Sequence, residues 1–140
     1  MKLNVDVKLN IKSAMVKKLV EEATRLGLRD TIVVMAEDAL ELSPVLTGNN
    51  MRSICYGVAG LGHTQASGGG RKESDTWTGP DKSLLDESKL QAALYSTSGY
   101  GGYLETGTSK MAAQPYIVPS VELHKDELAP NIKRELEALE

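Results

Sequence analysis

The chain contains two histidines and one cysteine, the residue types that most often carry catalysis or hold a metal ion. His63 lies in a glycine-rich stretch near Ser67 and upstream of Asp75. A hydrolytic triad needs a braced base beside an exposed nucleophile, and no nucleophile motif accompanies this histidine. His124 lies among acidic and basic residues that are typical of a solvated helix face. Neither histidine is predicted to be catalytic.

Metal and phosphate sites are no better supported. Cys55 and His63 could form one pair of ligands, but structural zinc requires four ligands at defined spacings. Cys55 falls in an apolar run and is predicted to be a small buried thiol. The glycines at 68–70 are followed by Arg71 and Lys72 but by no helical pattern, and those at 99–102 have no adjacent base, so both clusters favour flexible chain. No paired carboxylates stand out either. We therefore predict no catalytic residue, no cofactor and no metal site, and the protein is not expected to be an enzyme.

Length and composition favour one globular domain covering residues 1–140. The net charge of -3 argues against a basic nucleic-acid surface, because phosphate binding needs clustered Lys and Arg. A single cysteine points to a reducing compartment. The sequence contains no signal segment and no apolar run of about 18 residues. Synthesis in a cytoplasm without a membrane partner is expected.

Hydrophobic periodicity predicts the first elements. Apolar and polar residues alternate over 3–11, which indicates a strand with one buried face. Ser13 can cap a helix, which Gly27 is predicted to end or kink. Asp30 would then start a second helix that Pro44 ends. The predicted buried stripe of the first helix is Met15, Leu19, Ala23 and Leu26.

The second half of the chain predicts a small sheet and a final helix. Residues 53–58 and 91–97 are predicted strands that pair with each other. A short extended piece is expected at 116–118, followed by a helix that Pro119 starts and Pro130 breaks or bends. The predicted fold is α+β, with a small antiparallel sheet packed against two or three helices and a long glycine-rich loop.

That loop, residues 60–90, is predicted to be a flexible arm within the domain. It contains Trp77, the only tryptophan, and the basic pair Arg71 and Lys72. A tryptophan in a polar arm suits contact with a partner, so these three residues form a candidate interface. Trp77 is equally well explained as an anchor that fastens the loop to the body.

Three short motifs follow one another along the chain: Pro44-Val45-Leu46-Thr47-Gly48 with Ser53-Ile54, then Tyr103-Leu104-Glu105-Thr106-Gly107-Thr108, then Gln114-Pro115-Tyr116 with Pro119. In residue type, order and spacing they resemble the tail-completion, or head–tail joining, proteins in the neck of long-tailed bacteriophages. The resemblance covers nearly the whole chain except 60–90. It departs at Asn50-Met51, where the family has Leu-Arg, and at Thr106, where it has an aromatic residue.

The resemblance implies a structural protein of the virion neck, made in the cytoplasm of the bacterial host. It implies a homo-oligomer, commonly a hexameric ring, between head-closure or connector proteins and tail tube or terminator proteins. DNA would pass through its channel without sequence-specific binding. One alternative is a tail terminator ring that caps the tail tube. Another is a small ligand-binding or hydrolytic domain, with His63 and Glu105 in a pocket under the loop.

The motif residues also have predicted physical roles. Thr47-Gly48 can reverse the chain, because glycine tolerates positive φ. Gly107-Thr108 is expected to form a tight turn whose hydroxyl caps nearby backbone, and Glu105 to accept those turn amides or pair with a base. Pro115 and Pro119 would hold the extended piece and start the helix. We expect most signature residues to maintain the fold.

Overall fold

The structure is a computed structural model that describes residues 2–5, 14–43, 48–67, 73 and 75–139. It contains a four-stranded antiparallel sheet in the order β1-β4-β2-β3. The strands are β1 (Lys2–Asn4), β2 (Ile54–Val58), β3 (Gly62–Gln65) and β4 (Gln91–Ser96). The helices are α1 (Ala14–Leu42), α2 (Asn49–Ser53), α3 (Gly101–Thr106), α4 (Ile117–His124) and α5 (Leu128–Leu139). The predicted α+β class is correct.

The central strand pair is the one that the sequence predicts. β2 and β4 run antiparallel, with Tyr56 opposite Leu94. β1 continues the sheet beyond β4. Of the strand predicted over 3–11, residues 6–11 lie outside the described residues, as does the predicted cap Ser13.

Helix α1 is one uninterrupted helix, which corrects the prediction that Gly27 ends or kinks it. A Cβ on Gly27 would lie 2.4 Å from Cγ1 and 2.9 Å from Cα of Ile132 in α5. The glycine therefore allows two helices to approach closely, and tertiary packing outweighs its weak helix propensity. Asp30 lies inside the helix, where its carboxylate accepts hydrogen bonds from Arg29 and Arg134.

The predicted stripe on α1 is only partly buried. Ala23 is buried, but Met15 is 74% exposed. The buried positions of α1 run from Ala23 to Ala39, so the later part of the helix is the part that packs. One face of the sheet meets it there, and the shared core contains Leu28, Ile32, Met35, Ala39, Ile54, Val58, Ala92, Leu94 and the fully buried Tyr116.

The other face of the sheet is covered by residues 75–90, which we call the strap. Side chains alternate along a strand, so Ala93 faces away from α1, and it packs there with Ala59 and the buried Leu85 of the strap. The Asp81 amide donates to Tyr95 Oη (3.0 Å) and the Asp86 amide to Gln91 Oε1 (3.2 Å). Within the predicted flexible arm of 60–90, residues 62–65 therefore form β3 and residues 75–90 cover the sheet.

After α3 the chain returns along α1. The predicted extended piece at 116–118 is wrong, because α4 begins at Ile117, whereas Pro119 does lie in the first turn of that helix. A 3-10 turn, Lys125–Glu127, separates α4 from α5, and Pro130 lies in the first turn of α5. Proline has no N–H to donate to the carbonyl of Asp126, so the predicted break is confirmed just ahead of Pro130.

Candidate functional site

Glu105, in the last turn of α3, caps the start of α4. Its carboxylate accepts hydrogen bonds from the backbone amides of Tyr116 (2.9 Å), Ile117 (2.9 Å) and Val118 (2.7 Å). The first amides of a helix have no partner inside the helix, and their dipoles favour a negative charge. The expected partners of Glu105, the amides of the Gly107 turn, are therefore wrong. Helix α3, which positions the Glu105 side chain, was not predicted from the sequence.

The turn at Gly107 and Thr108 forms as predicted. Gly107 has φ of 79°, and the Thr108 amide donates to the Met111 carbonyl (2.9 Å). The Lys110 amide donates to Thr108 Oγ1 (3.2 Å), which confirms the hydroxyl cap. The chain then folds back, and the Gln114 amide donates to the Leu104 carbonyl (2.8 Å). This return brings the third motif over Glu105.

The side chains of the later motifs divide between interior and surface. Tyr116 is fully buried and its hydroxyl donates to the Gly101 carbonyl (3.2 Å). Gln114 and Pro115 are exposed, and Tyr103 is 60% exposed. The second and third motifs thus contain both a buried tyrosine, Tyr116, and an exposed one, Tyr103.

The first motif is described only from Gly48 onwards, since Pro44 and Thr47 lie outside the described residues. Gly48 has φ of 81° and precedes α2, so the predicted need for glycine is confirmed. Ser53, at the end of α2, donates through Oγ to the Asn50 carbonyl (2.5 Å) and lies 2.7 Å from Ser96 Oγ. These bonds join α2 to β4.

Sequence reasoning missed a buried polar cluster formed by Ser43, Asn50, Ser53, Ser96 and Ser98. The Asn50 side-chain oxygen accepts from Ser96 Oγ (2.8 Å) and Ser98 Oγ (3.0 Å), while its nitrogen donates to Ser43 Oγ (3.0 Å). The cluster ties the end of α1 to α2 and β4. Its hydroxyls are hydrogen-bonded to one another and to amide groups, which suits a cluster that holds these elements in place. The only sequence signal was serine recurring at positions 96 and 98.

A buried ion pair fastens the strap to the body. Arg52 donates to Asp75 through Nε (2.8 Å) and Nη2 (2.5 Å). Hydrogen bonding to Asp75 raises the pKa of Arg52. The Trp77 indole nitrogen also donates to Asp75 (2.8 Å), and its ring is half-buried. Because that bond stays within the strap, it does not distinguish a partner contact from an anchor, and Arg71 and Lys72 lie outside the described residues.

The cysteine is buried and the two histidines are paired. Cys55 is a fully buried core thiol, as predicted, and burial raises its pKa to about 11. Nδ1 of His63 lies 2.8 Å from the hydroxyl of Tyr95.

His124 does not lie on a freely solvated face, which corrects the prediction. Its two ring nitrogens bond to the carboxylates of Asp38 and Glu127. Burial lowers the pKa of His124, but hydrogen bonds to the two carboxylates outweigh this effect and raise it overall. The imidazole therefore joins the end of α4 to α1.

The proposed pocket shared by His63 and Glu105 is not supported by the geometry. Glu105 lines a depression of about 280 Å³ beside Gly102 and Val118, but His63 is not part of its lining. The carboxylate is also occupied by three amides. Within the described residues no group of three or more His, Cys, Asp or Glu side chains could hold a metal ion. Among the helices of that part of the chain, none is long and apolar enough to cross a membrane.

Comparison of the chain with protein-family models, with curated proteins and with solved structures gives no match.

Proposed function

We propose that this chain is a structural virion protein of a long-tailed bacteriophage, which forms a ring at the neck and joins the finished tail to the head. The observation that carries the proposal is the bond between two of the motifs. Glu105 of the second motif caps the helix that the third motif begins. Two of the motifs that carry the resemblance are thus joined to each other in this chain.

The surface also favours assembly. Large apolar side chains are exposed on several elements, among them Met15 on α1, Tyr103 on α3 and Leu123 on α4. Contiguous apolar patches on a surface mark contacts with other proteins, whereas the same residues scattered singly are common on any domain. The residues with reactive groups, by contrast, are engaged in packing and hydrogen bonds. Such a chain supplies contact surfaces for its partners.

The mechanism would be assembly without chemistry. Copies of the chain would form a hexameric ring, on one side of which the head-closure proteins sit and on the other the tail. DNA would pass through the channel. The acidic composition, with 19 Asp and Glu against 16 Lys and Arg, suits a channel through which DNA slides, because it lacks a surplus of phosphate-binding cations.

The test is electron microscopy of lysates from the parent phage with this gene interrupted. Full heads beside separate tails of normal length are expected, and the wild-type gene on a plasmid should restore joined particles. Tails of abnormal length would instead favour the terminator ring. Intact infectious particles would overturn the neck assignment.

A further inference from the structure

The imidazole of His124 lies between two carboxylates, with Asp38 of α1 bonded to Nε2 and Glu127 bonded to Nδ1. Glu127 belongs to the 3-10 turn Lys125–Glu127, here called the hinge turn, which joins α4 to α5. We propose that His124 is a proton-operated latch, which ties the hinge turn to α1 while the imidazole is protonated and releases the turn when the proton leaves.

The geometry requires the protonated ring. An ionised carboxylate can only accept hydrogen bonds, so each ring nitrogen must supply an N–H to bond to its carboxylate. Imidazolium has two N–H groups, whereas neutral imidazole has one N–H and one lone pair. The bonds to Asp38 and Glu127 are therefore complete only in the imidazolium form. Once the proton leaves, one of the two carboxylates faces a lone pair, and that contact becomes repulsive.

The proton on His124 is controlled by a small set of charges. Among the described residues, the charged groups that act on it are Asp38 from α1 and Glu127 from the hinge turn. Burial lowers the pKa of His124, but the bonds to the two carboxylates raise it by more, so it lies above the ordinary value of 6.5. The latch is therefore closed below a pH of about 6.5 and opens as pH rises through the higher folded value.

Exposure decides which carboxylate is released. The side chain of Glu127 is 52% exposed, and that of Asp38 is 28% exposed. An unpaired carboxylate costs least where water can reach it. The remaining N–H therefore stays on Nε2, bonded to Asp38, while Glu127 turns to solvent. The contact between α4 and α1 is kept, and the hinge turn loses its tie.

The segment after the latch can respond without disturbing the core. All three residues of the hinge turn are exposed, and no residue of α5 is buried. Pro130, in the first turn of α5, has no N–H and cannot make that residue's backbone hydrogen bond. Leu128 packs against the core and Asn131 donates to Thr31 Oγ1 (2.9 Å), so α5 stays docked from there on. Opening of the latch therefore loosens a short segment and leaves the rest of α5 in place.

Nuclear magnetic resonance of the His124 ring nitrogens in the full chain tests the latch directly. His63→Gln assigns the signals, since the chain contains two histidines. A pKa above 6.5 is expected and, at higher pH, the tautomer that keeps its proton on Nε2. A pKa at or below 6.5 would overturn the proposal. The Nδ1–H tautomer would overturn it as well, because Asp38 would then be the carboxylate that is released.

Hydrogen exchange read by mass spectrometry measures the hinge turn below and above the pKa found for His124. After correction for intrinsic rates, exchange in residues 122–131 should rise up to about fivefold at the higher pH, with no change in the strands. Glu127→Gln should abolish the rise, because its amide can donate to the lone pair on Nδ1. Glu122→Gln is the matched control: Glu122 lies on α4 but pairs with Lys125 at 2.7 Å, so the rise should persist.

Two results would refute the latch: no rise in the wild-type chain, or the same rise in Glu127→Gln as in the wild type. Circular dichroism confirms that each variant folds. These measurements use the isolated chain, so their outcome is independent of the gene-interruption test of the neck function.

Discussion

Replacing Gly27 by alanine is expected to destabilise the protein, even though alanine is the better helix former. An added Cβ would lie 2.9 Å from both Cα and N of Ile132, as well as 2.4 Å from its Cγ1. Ordinary carbon contacts are about 3.5–4.0 Å, so the backbone of α5 has to retreat by at least about 0.6 Å. A side chain could rotate away, but backbone has to move with its helix.

The expected magnitude follows from two opposing effects. Overpacking a close contact costs about 1–3 kcal/mol, and a backbone clash belongs in the upper part of that range. Alanine regains about 1 kcal/mol of helix propensity. The net loss is therefore about 1–2 kcal/mol, or roughly 3–6 °C in Tm for a chain of this size.

Thermal and urea unfolding followed by circular dichroism measure this loss. The matched control is Gly102→Ala in α3, where a Cβ would meet no atom within 4 Å. That control should be neutral or up to about 1 kcal/mol more stable. Adding Ile132→Ala to Gly27→Ala should relieve only part of the clash, since the contacts with the Ile132 backbone remain. If Gly27→Ala raises Tm as the control does, the close packing of α1 on α5 is refuted.

Three further variants test the site. Glu105→Ala should cost about 2 kcal/mol in urea unfolding, because three amides lose their partner; a loss as small as that of an exposed Glu→Ala change would contradict the cap. His124→Gln should destabilise the protein most at low pH. A raised folded pKa gives stability that is full below the unfolded value of about 6.5 and is lost as pH rises through the folded pKa, so the deficit should shrink as pH rises above about 6.5. Asp75→Asn should lower Tm and shift Trp77 fluorescence to the red; an unchanged spectrum would mean that Trp77 is held by other contacts.

The parts of the fold that could be predicted are those that depend on the pattern of residues within one short segment. Residues 53–58 and 91–97 were predicted as two strands that pair with each other, and they do pair. Continuity of α1 could not be predicted, because the reason for Gly27 is Ile132, far away along the chain. A glycine by itself indicates weak helix propensity. Only the contact with Ile132 shows why a glycine is needed inside α1.

The packing of the strap also could not be predicted from the sequence. Its glycine, serines and aspartates are typical of loops, and several of its hydrogen bonds join a backbone amide to a side chain, as between the Ser83 amide and Asp81. What fixes it is the buried Leu85 against Ala93 and the buried pair of Arg52 with Asp75. Each needs a partner in a different element. Composition alone therefore could not separate a covering segment from a free arm.

For the candidate site, the motifs identified positions but not partners. Glu105 was singled out from the signature, yet its bonds to the α4 amides depend on the unpredicted helix α3 and on the fold-back after Gly107. Asn50 appeared only as a departure from the family. In the structure it is the centre of a buried hydrogen-bonded cluster, which a leucine could not form.

The contacts at both ends of α4 fix its position against α1. Glu105 fixes its first turn and His124 fixes its last residue to α1, so the helix is held at both ends. Val118 and Leu123 are therefore presented at a set angle to α1, which runs unbroken to Met15. Glu105→Ala should therefore loosen the first turn of α4 and shift the exposed Val118 relative to α1.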